Sequence, residues 1–448
     1  MDVFLLGGAC GLAGKERPAS ALGMIPDSTS AASTHGLAYA RRAFQVAWGF
    51  WLVAATLGLL LRLQAVSPME HLNYGNFLHA HSHVAFLGWV FNAFFALVLR
   101  FFVRAEDVST LWRVFLVVQI AVGGMLVAFP LEGYAGVSIA FSTLQMVCSG
   151  VFAWKLWKRN RASPEARGFL RVALAFLVIS GAGPLTLGPL AATGLRESPW
   201  YALAIYFYLH CQYNGWFIFF LQAVFLQYRH ERGLDMNGSL ARRSLGWLTA
   251  GCGLTFALSG LWANPPDWVY VAAVSGGVAQ LIGCAIFVRG MRGTAGLFVS
   301  NHAGIVRGLA VLALGAFLLK QSLQLAATVP GLVGFMGNRW MVIGFLHLIF
   351  LGLVTPMLVA WAVELDWIRV NGWTKSGLGL FLTGAFATEL VLGISPLTSA
   401  AGGGAWPATL QILLAGAVLM VGGLALLAPA TRRAHDSKRA PEIERRKA

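Results

Sequence analysis

Residues 77–101 read Phe-Leu-His-Ala-His-Ser-His-Val-Ala-Phe-Leu-Gly-Trp-Val-Phe-Asn-Ala-Phe-Phe-Ala-Leu-Val-Leu-Arg-Phe. The stretch holds no Asp, Glu or Lys and is long enough to cross a bilayer as a helix, yet three histidines stand near its start. Similar apolar runs recur on both sides of it. We place twelve, at 43–66, 77–101, 111–131, 136–157, 169–190, 200–227, 244–262, 269–288, 304–324, 340–363, 376–394 and 407–427. The chain is 57% hydrophobic and only 11% charged, with mean hydropathy +0.68. A water-soluble surface needs more charge than that, so the solvent for most of this chain is lipid. The expectation is an all-α polytopic membrane bundle of about twelve transmembrane helices in the inner (cytoplasmic) membrane.

The net charge of +15 invites a nucleic-acid reading, but the basic residues sit at the ends of apolar runs. With the N-terminus inside, 29 of the 33 Lys and Arg fall in the tails and in the loops after even-numbered segments. The other four are Arg62, Arg196, Lys320 and Arg339. That alternation predicts that both termini are cytoplasmic, and no nucleic-acid partner is expected. Residues 41–428 form the membrane domain and 429–448 a basic cytoplasmic tail, with contact to anionic lipid a secondary expectation. Residues 1–40 contain an apolar run, Val3 to Ala13, too short to span and without a basic start. They read as a disordered tail, or Met24 is the true start. Gly183-Pro184 and Gly188-Pro189 should bend or end the outer part of segment 5.

Five histidines lie inside membrane segments: His79, His81 and His83 on segment 2, His210 on segment 6 and His347 on segment 10. All three segments run inward, so at ~1.5 Å per residue the five share the outer half of the bilayer. The sequences after His83, His210 and His347 echo one another, each with an aromatic at +3 and glycine at +5: Phe86 and Gly88, Tyr213 and Gly215, Phe350 and Gly352. A glycine there admits a flat macrocycle or a neighbouring helix. His79 and His83 share a helix face and His81 points elsewhere, so the triplet could serve one site or two. Neutral imidazole is cheap to bury and ligates haem iron, copper and zinc. The alternative for each is an interhelical hydrogen bond. The five cysteines are scattered, with no CxxCH for covalent haem attachment. Around the histidines, Arg339 and Lys320 are candidate partners for haem propionates. Glu389, a lone carboxyl in the outer half of segment 11, is a candidate catalytic group, and Tyr213 a hydrogen-bond or redox partner.

Twelve helices with outer histidines on segments 2, 6 and 10 resemble haem–copper oxidase subunit I. His81-Ser-His83 with Gly88, and His347 with Gly352, resemble more closely its divergent NnrS-like branch. The resemblance implies a non-covalent haem, b-type, held axially by His83 and His347, and copper at the place of His210. It also implies a small gas ligand such as nitric oxide or oxygen, and electrons from cytochrome c, quinol or another respiratory subunit. The departures are specific. Segment 7 has no histidine pair, segment 10 has one histidine where true oxidases have two, and Tyr213 follows His210 by three residues rather than four. The expectation is therefore a haem-binding, or haem- and copper-binding, protein handling nitric oxide, haem or electrons, and not a standard proton-pumping oxidase. A divergent oxygen or nitric oxide reductase subunit is the first alternative and a twelve-helix secondary transporter the second.

Overall fold

In lipid a backbone must satisfy its own hydrogen bonds, and a helix does this within one segment. The computed structural model describes residues 31–292, 302–400 and 408–432, and among them the chain is helical with short connections. The long helices are α1 (Ala31–Val66), α2 (Tyr74–Phe101), α3 (Val108–Glu132), α4 (Gly136–Lys158), α5 (Pro164–Ala192), α6 (Pro199–His230), α7 (Gly238–Ala263), α8 (Asp267–Gly290), α9 (Ala303–Ala326), α10 (Arg339–Glu364), α11 (Gly372–Ala400) and α12 (Thr409–Arg432). Eleven of them are long and apolar enough to cross a membrane. The twelfth, α6, is as long but has a polar middle, and its His210, Gln212 and Asn214 are all buried in protein. Residues 31–40, expected in the tail, are helical, and residues 1–30 and 433–448 lie outside the described residues. A turn at Gly181 divides α5, as its Gly-Pro steps predict.

Twelve alternating spans put the start of α1 and the end of α12 on one face, the terminal face; the opposite one is the distal face. At the centre stands α2: 83% of its most apolar window is buried in protein, against 28–44% for the other ten apolar helices. The terminal half of α2 is closed by aromatic packing. Trp89 stacks on Trp51 of α1 with ring centroids 4.4 Å apart, and Phe94 lies 4.3 Å from Phe220 of α6. Two polar ties fix the register there. The Trp89 indole N–H donates to Thr355 Oγ1 of α10 at 3.0 Å, and Asn92 exchanges amide bonds with Gln119 of α3 at 2.9 and 3.1 Å. On the periphery α11 and α12 pack backbone to backbone, because a Cβ on Gly416 would fall 2.9 Å from the Gly384 carbonyl.

Packing changes along the central helices. The terminal parts of α2, α6 and α10 are largely buried. Their distal ends are half-accessible: Arg339–His347 has no buried residue, and Pro199–His210 has only Ala204 and His210. The histidines lie in these looser distal halves.

Candidate functional site

Asn73 starts α2 by accepting the Asn76 N–H at 3.1 Å, which sets the phase of the helix and so the direction of each histidine. His81 faces α1: its Nδ1 lies 2.9 Å from the Ala54 carbonyl, and its ring packs over Gly58. His83 and His79 face the other way. The His83 ring lies 4.3 Å from Phe129 of α3, and the His79 ring 4.5 Å from Tyr134, in the α3–α4 loop. His83 Nδ1 bonds the His79 carbonyl at 2.9 Å, and its Nε2 lies 3.3 Å from the Tyr134 hydroxyl. On α10, His347 Nδ1 bonds the Ile343 carbonyl at 2.8 Å.

These bonds assign tautomers. A carbonyl oxygen only accepts, so in His81, His83 and His347 the proton is on Nδ1 and Nε2 keeps its lone pair. That is the usual state of a metal-ligating histidine, with the second nitrogen anchored to a carbonyl. His210 is the reverse. Its Nε2–H donates to the Cys252 carbonyl at 2.7 Å, and Nδ1 accepts from the Asn214 amide at 3.1 Å. Both nitrogens are engaged, so His210 does not fit a copper ligand. Among the described residues no three His, Cys, Asp or Glu side chains gather to hold a metal ion. The five histidines therefore do not form one cluster.

Directly after His83, His210 and His347 the helix loosens from α to π: Val84–Phe91, Cys211–Phe217 and Leu348–Val354. A π segment carries an extra residue per turn and re-aims the side chains before it. Two of the three shared aromatics meet between α2 and α10, with Phe86 and Phe350 4.5 Å apart. The shared glycines admit neighbouring helices. A Cβ on Gly88 would strike Phe50 of α1 at 2.8 Å, one on Gly215 the ring of Phe176 of α5, and one on Gly352 would meet Ala316 of α9 at 3.0 Å.

The Phe86–Phe350 and Trp89–Thr355 contacts bring α2 and α10 together and place His347 at the depth of the His81–His83 turn. Direction then separates the two α2 residues. His347 lies within electrostatic reach of His81 and of Arg62 on α1, and His81 is within reach of Arg62 as well. His83, which the resemblance pairs with His347, is turned to Phe129 and Tyr134.

Other candidates lie apart from this group. Lys320 is buried in α9, where its ammonium donates to Gln321 and Gln324 at 2.9 and 2.6 Å, within reach of His210 and Cys252. Three of the scattered cysteines, Cys211, Cys252 and Cys284, are buried on α6, α7 and α8. The Tyr213 ring lies 5.8 Å from Phe345 and 6.2 Å from His210. Glu389 is half-buried with Oε1 unpartnered, and Arg339 is exposed at the start of α10. Sequence reading missed Arg62 and Tyr134 as site residues. Arg62 did carry a signal, since it is one of four basic residues outside the cytoplasmic set. Tyr134 stands in the α3–α4 loop, where its hydroxyl reaches His83 Nε2 and its ring packs on His79.

No protein-family model matches the chain, and no curated protein is similar to it in sequence. Among solved structures its fold is similar to that of a haem–copper terminal oxidase, determined by cryo-EM as a dimer. The two are 11% identical, with a TM-score of 0.61, over 88% of this chain and 84% of that one. At that identity the likeness is one of fold: this chain is a multi-pass membrane helix bundle with the architecture of a haem–copper terminal oxidase.

Proposed function

We propose that this chain is a haem-binding integral membrane protein that handles electrons, nitric oxide or haem. One observation carries the reading. His81 and His347, on different helices and within reach of the same arginine, each have Nδ1 bonded to a carbonyl and Nε2 bare. Two bare imidazole nitrogens on facing helices are what a bis-histidine haem requires. We assign His347 and His81 as the axial pair, with His83 displaced from the role that the resemblance gives it. Arg62 would serve as propionate partner in place of Arg339 and Lys320. Held there without covalent attachment, such a haem, b-type, supplies one-electron transfer.

The same residues argue against an oxygen-reducing proton pump. Both nitrogens of His210 are engaged, and among the described residues no three side chains gather to hold copper. The NnrS-like branch suits a haem site without that centre, and nitric oxide is the gas it points to. Electrons would come from quinol, cytochrome c or another respiratory subunit in the inner membrane. A divergent reductase would need Glu389 or Tyr213 in turnover, and a transporter would need no haem.

The test is a reduced-minus-oxidised optical spectrum with iron and copper analysis on the purified chain. A sharp α-band with about one iron per chain, lost in His347→Ala and His81→Ala and kept in His83→Ala, is expected. A band lost in His83→Ala and kept in His81→Ala returns the axial role to His83. No haem in cells supplied with it sinks the reading and favours transport.

A further inference from the structure

His81 leaves two histidines on the opposite face of α2 that the haem does not use. We propose that His79 and His83, with Tyr134, form a second site, one that binds a divalent transition ion of zinc or copper(II) type from the distal face. The two imidazoles stand at i and i+4, where Cβ atoms are about 5–6 Å apart and two rings reach one ion. Both rings pack around Tyr134, at 4.5 and 5.8 Å between centroids. His83 Nδ1 is tied to the His79 carbonyl, so Nε2 carries the lone pair and faces the Tyr134 hydroxyl. The 3.3 Å between that nitrogen and the Tyr134 oxygen is the edge of a tetrahedron whose centre lies ~2.0 Å from each donor. A hydroxyl donating to Nε2 explains that distance equally, so the ion must displace this bond.

Access and chemistry agree with the assignment. Tyr134 is 53% exposed on the distal side, and both histidines are half-accessible. Neutral nitrogen donors with one oxygen suit zinc and copper(II) over calcium or magnesium, which take oxygen ligands. Two histidines and one tyrosine leave the fourth position to water. This site rests on the assignment of the haem to His81 and His347, which leaves the opposite face of α2 free. A haem band lost in His83→Ala refutes both, and zinc indifferent to His79→Ala and His83→Ala with the band kept refutes the metal site alone.

The experiment uses the purified full-length chain in detergent with its haem. Zinc is titrated in competition with a chromophoric chelator, and the haem band reports an intact fold. One equivalent is expected, weakened about tenfold or more by His79→Ala and by His83→Ala with the haem band kept. Tyr134→Phe should weaken it about threefold, and His71→Ala, in the nearby loop, should leave it unchanged. Stoichiometric zinc indifferent to both α2 substitutions, or lost in His71→Ala, overturns the site, as does loss of the haem band in His83→Ala. Should the variants not fold, copper(II) electron paramagnetic resonance on the unaltered chain decides. Coupling to two nitrogens supports the site, and oxygen-only coordination refutes it.

Discussion

Thr355→Val tests whether a single polar tie holds the register of the two central helices. Thr355 and Trp89 are each 2% exposed, and the indole N–H donates to the threonine hydroxyl at 3.0 Å. Valine keeps the shape and removes the acceptor. The indole N–H then sits in an apolar core with no partner, which costs about 1–3 kcal/mol. Thr355→Ser keeps the oxygen and loses one methyl, at about 1 kcal/mol. Trp89→Phe removes the donor, so adding Thr355→Val to it should cost little more. The double-mutant cycle should therefore show about 1–2 kcal/mol of coupling. The assay is denaturant unfolding of the solubilised chain, followed by tryptophan fluorescence or circular dichroism. The tie stands eight residues inward of both His81 and His347, so loosening it should also broaden the haem α-band in Thr355→Val but not in Thr355→Ser. Additive costs, or equal losses for valine and serine, would refute the claim that this bond sets the register.

Further outcomes follow from other contacts. Gly215→Val would drive a side chain into the Phe176 ring, and overpacking of that kind should destabilise by about 1–3 kcal/mol, read as a lowered Tm. Gly276→Leu should part α7 from α8, because a Cβ there would already lie 2.7 Å from the Thr255 backbone nitrogen; proteolysis within the α7–α8 hairpin should accelerate. Asn92→Leu strands Gln119 Oε1 against α2, while Nε2 keeps the Phe115 carbonyl at 2.8 Å, and should cost about 1–3 kcal/mol; Asn92→Leu with Gln119→Leu should recover part of it. Arg62→Gln should leave the optical band in place but shift the haem midpoint potential downward, since a cation beside the haem favours the electron-rich reduced form.

The fold was legible because lipid leaves so few options. Twelve apolar runs and the placing of 29 basic residues sufficed for the bundle, and α6 was found despite its polar middle because its flanks remain apolar. The site was legible as a set of residues and a depth, not as partnerships. His79, His81 and His83 are one string of letters, and a helical wheel separates their faces without saying which face meets which helix. That His81 turns to α1 follows from Gly58 and the Ala54 carbonyl, 23 and 27 residues away, which only tertiary packing brings into contact.

The repeated His-x-x-aromatic-x-Gly spacing carried more than either reading of it supplied. Its glycines suggested room for a macrocycle or for a helix, and the structure fills the room with Phe50, Phe176 and Ala316. The pattern's other consequence is the π segment that follows each of the three histidines. An extra residue in the turn alters the angle between the packed terminal half of a helix and its histidine-bearing distal half, by up to the ~100° that one residue contributes. The terminal halves can then stay locked by contacts such as Trp89–Thr355 while the imidazoles take directions that an uninterrupted helix would not give them. Deleting Val90, buried in the first π segment, should restore α geometry and swing His81 off Ala54. A chain with Val90 deleted that remains helical and loses its haem would show that the π turn, and not the histidine alone, aims the ligand. One that keeps its haem with unchanged spectrum would show that it does not.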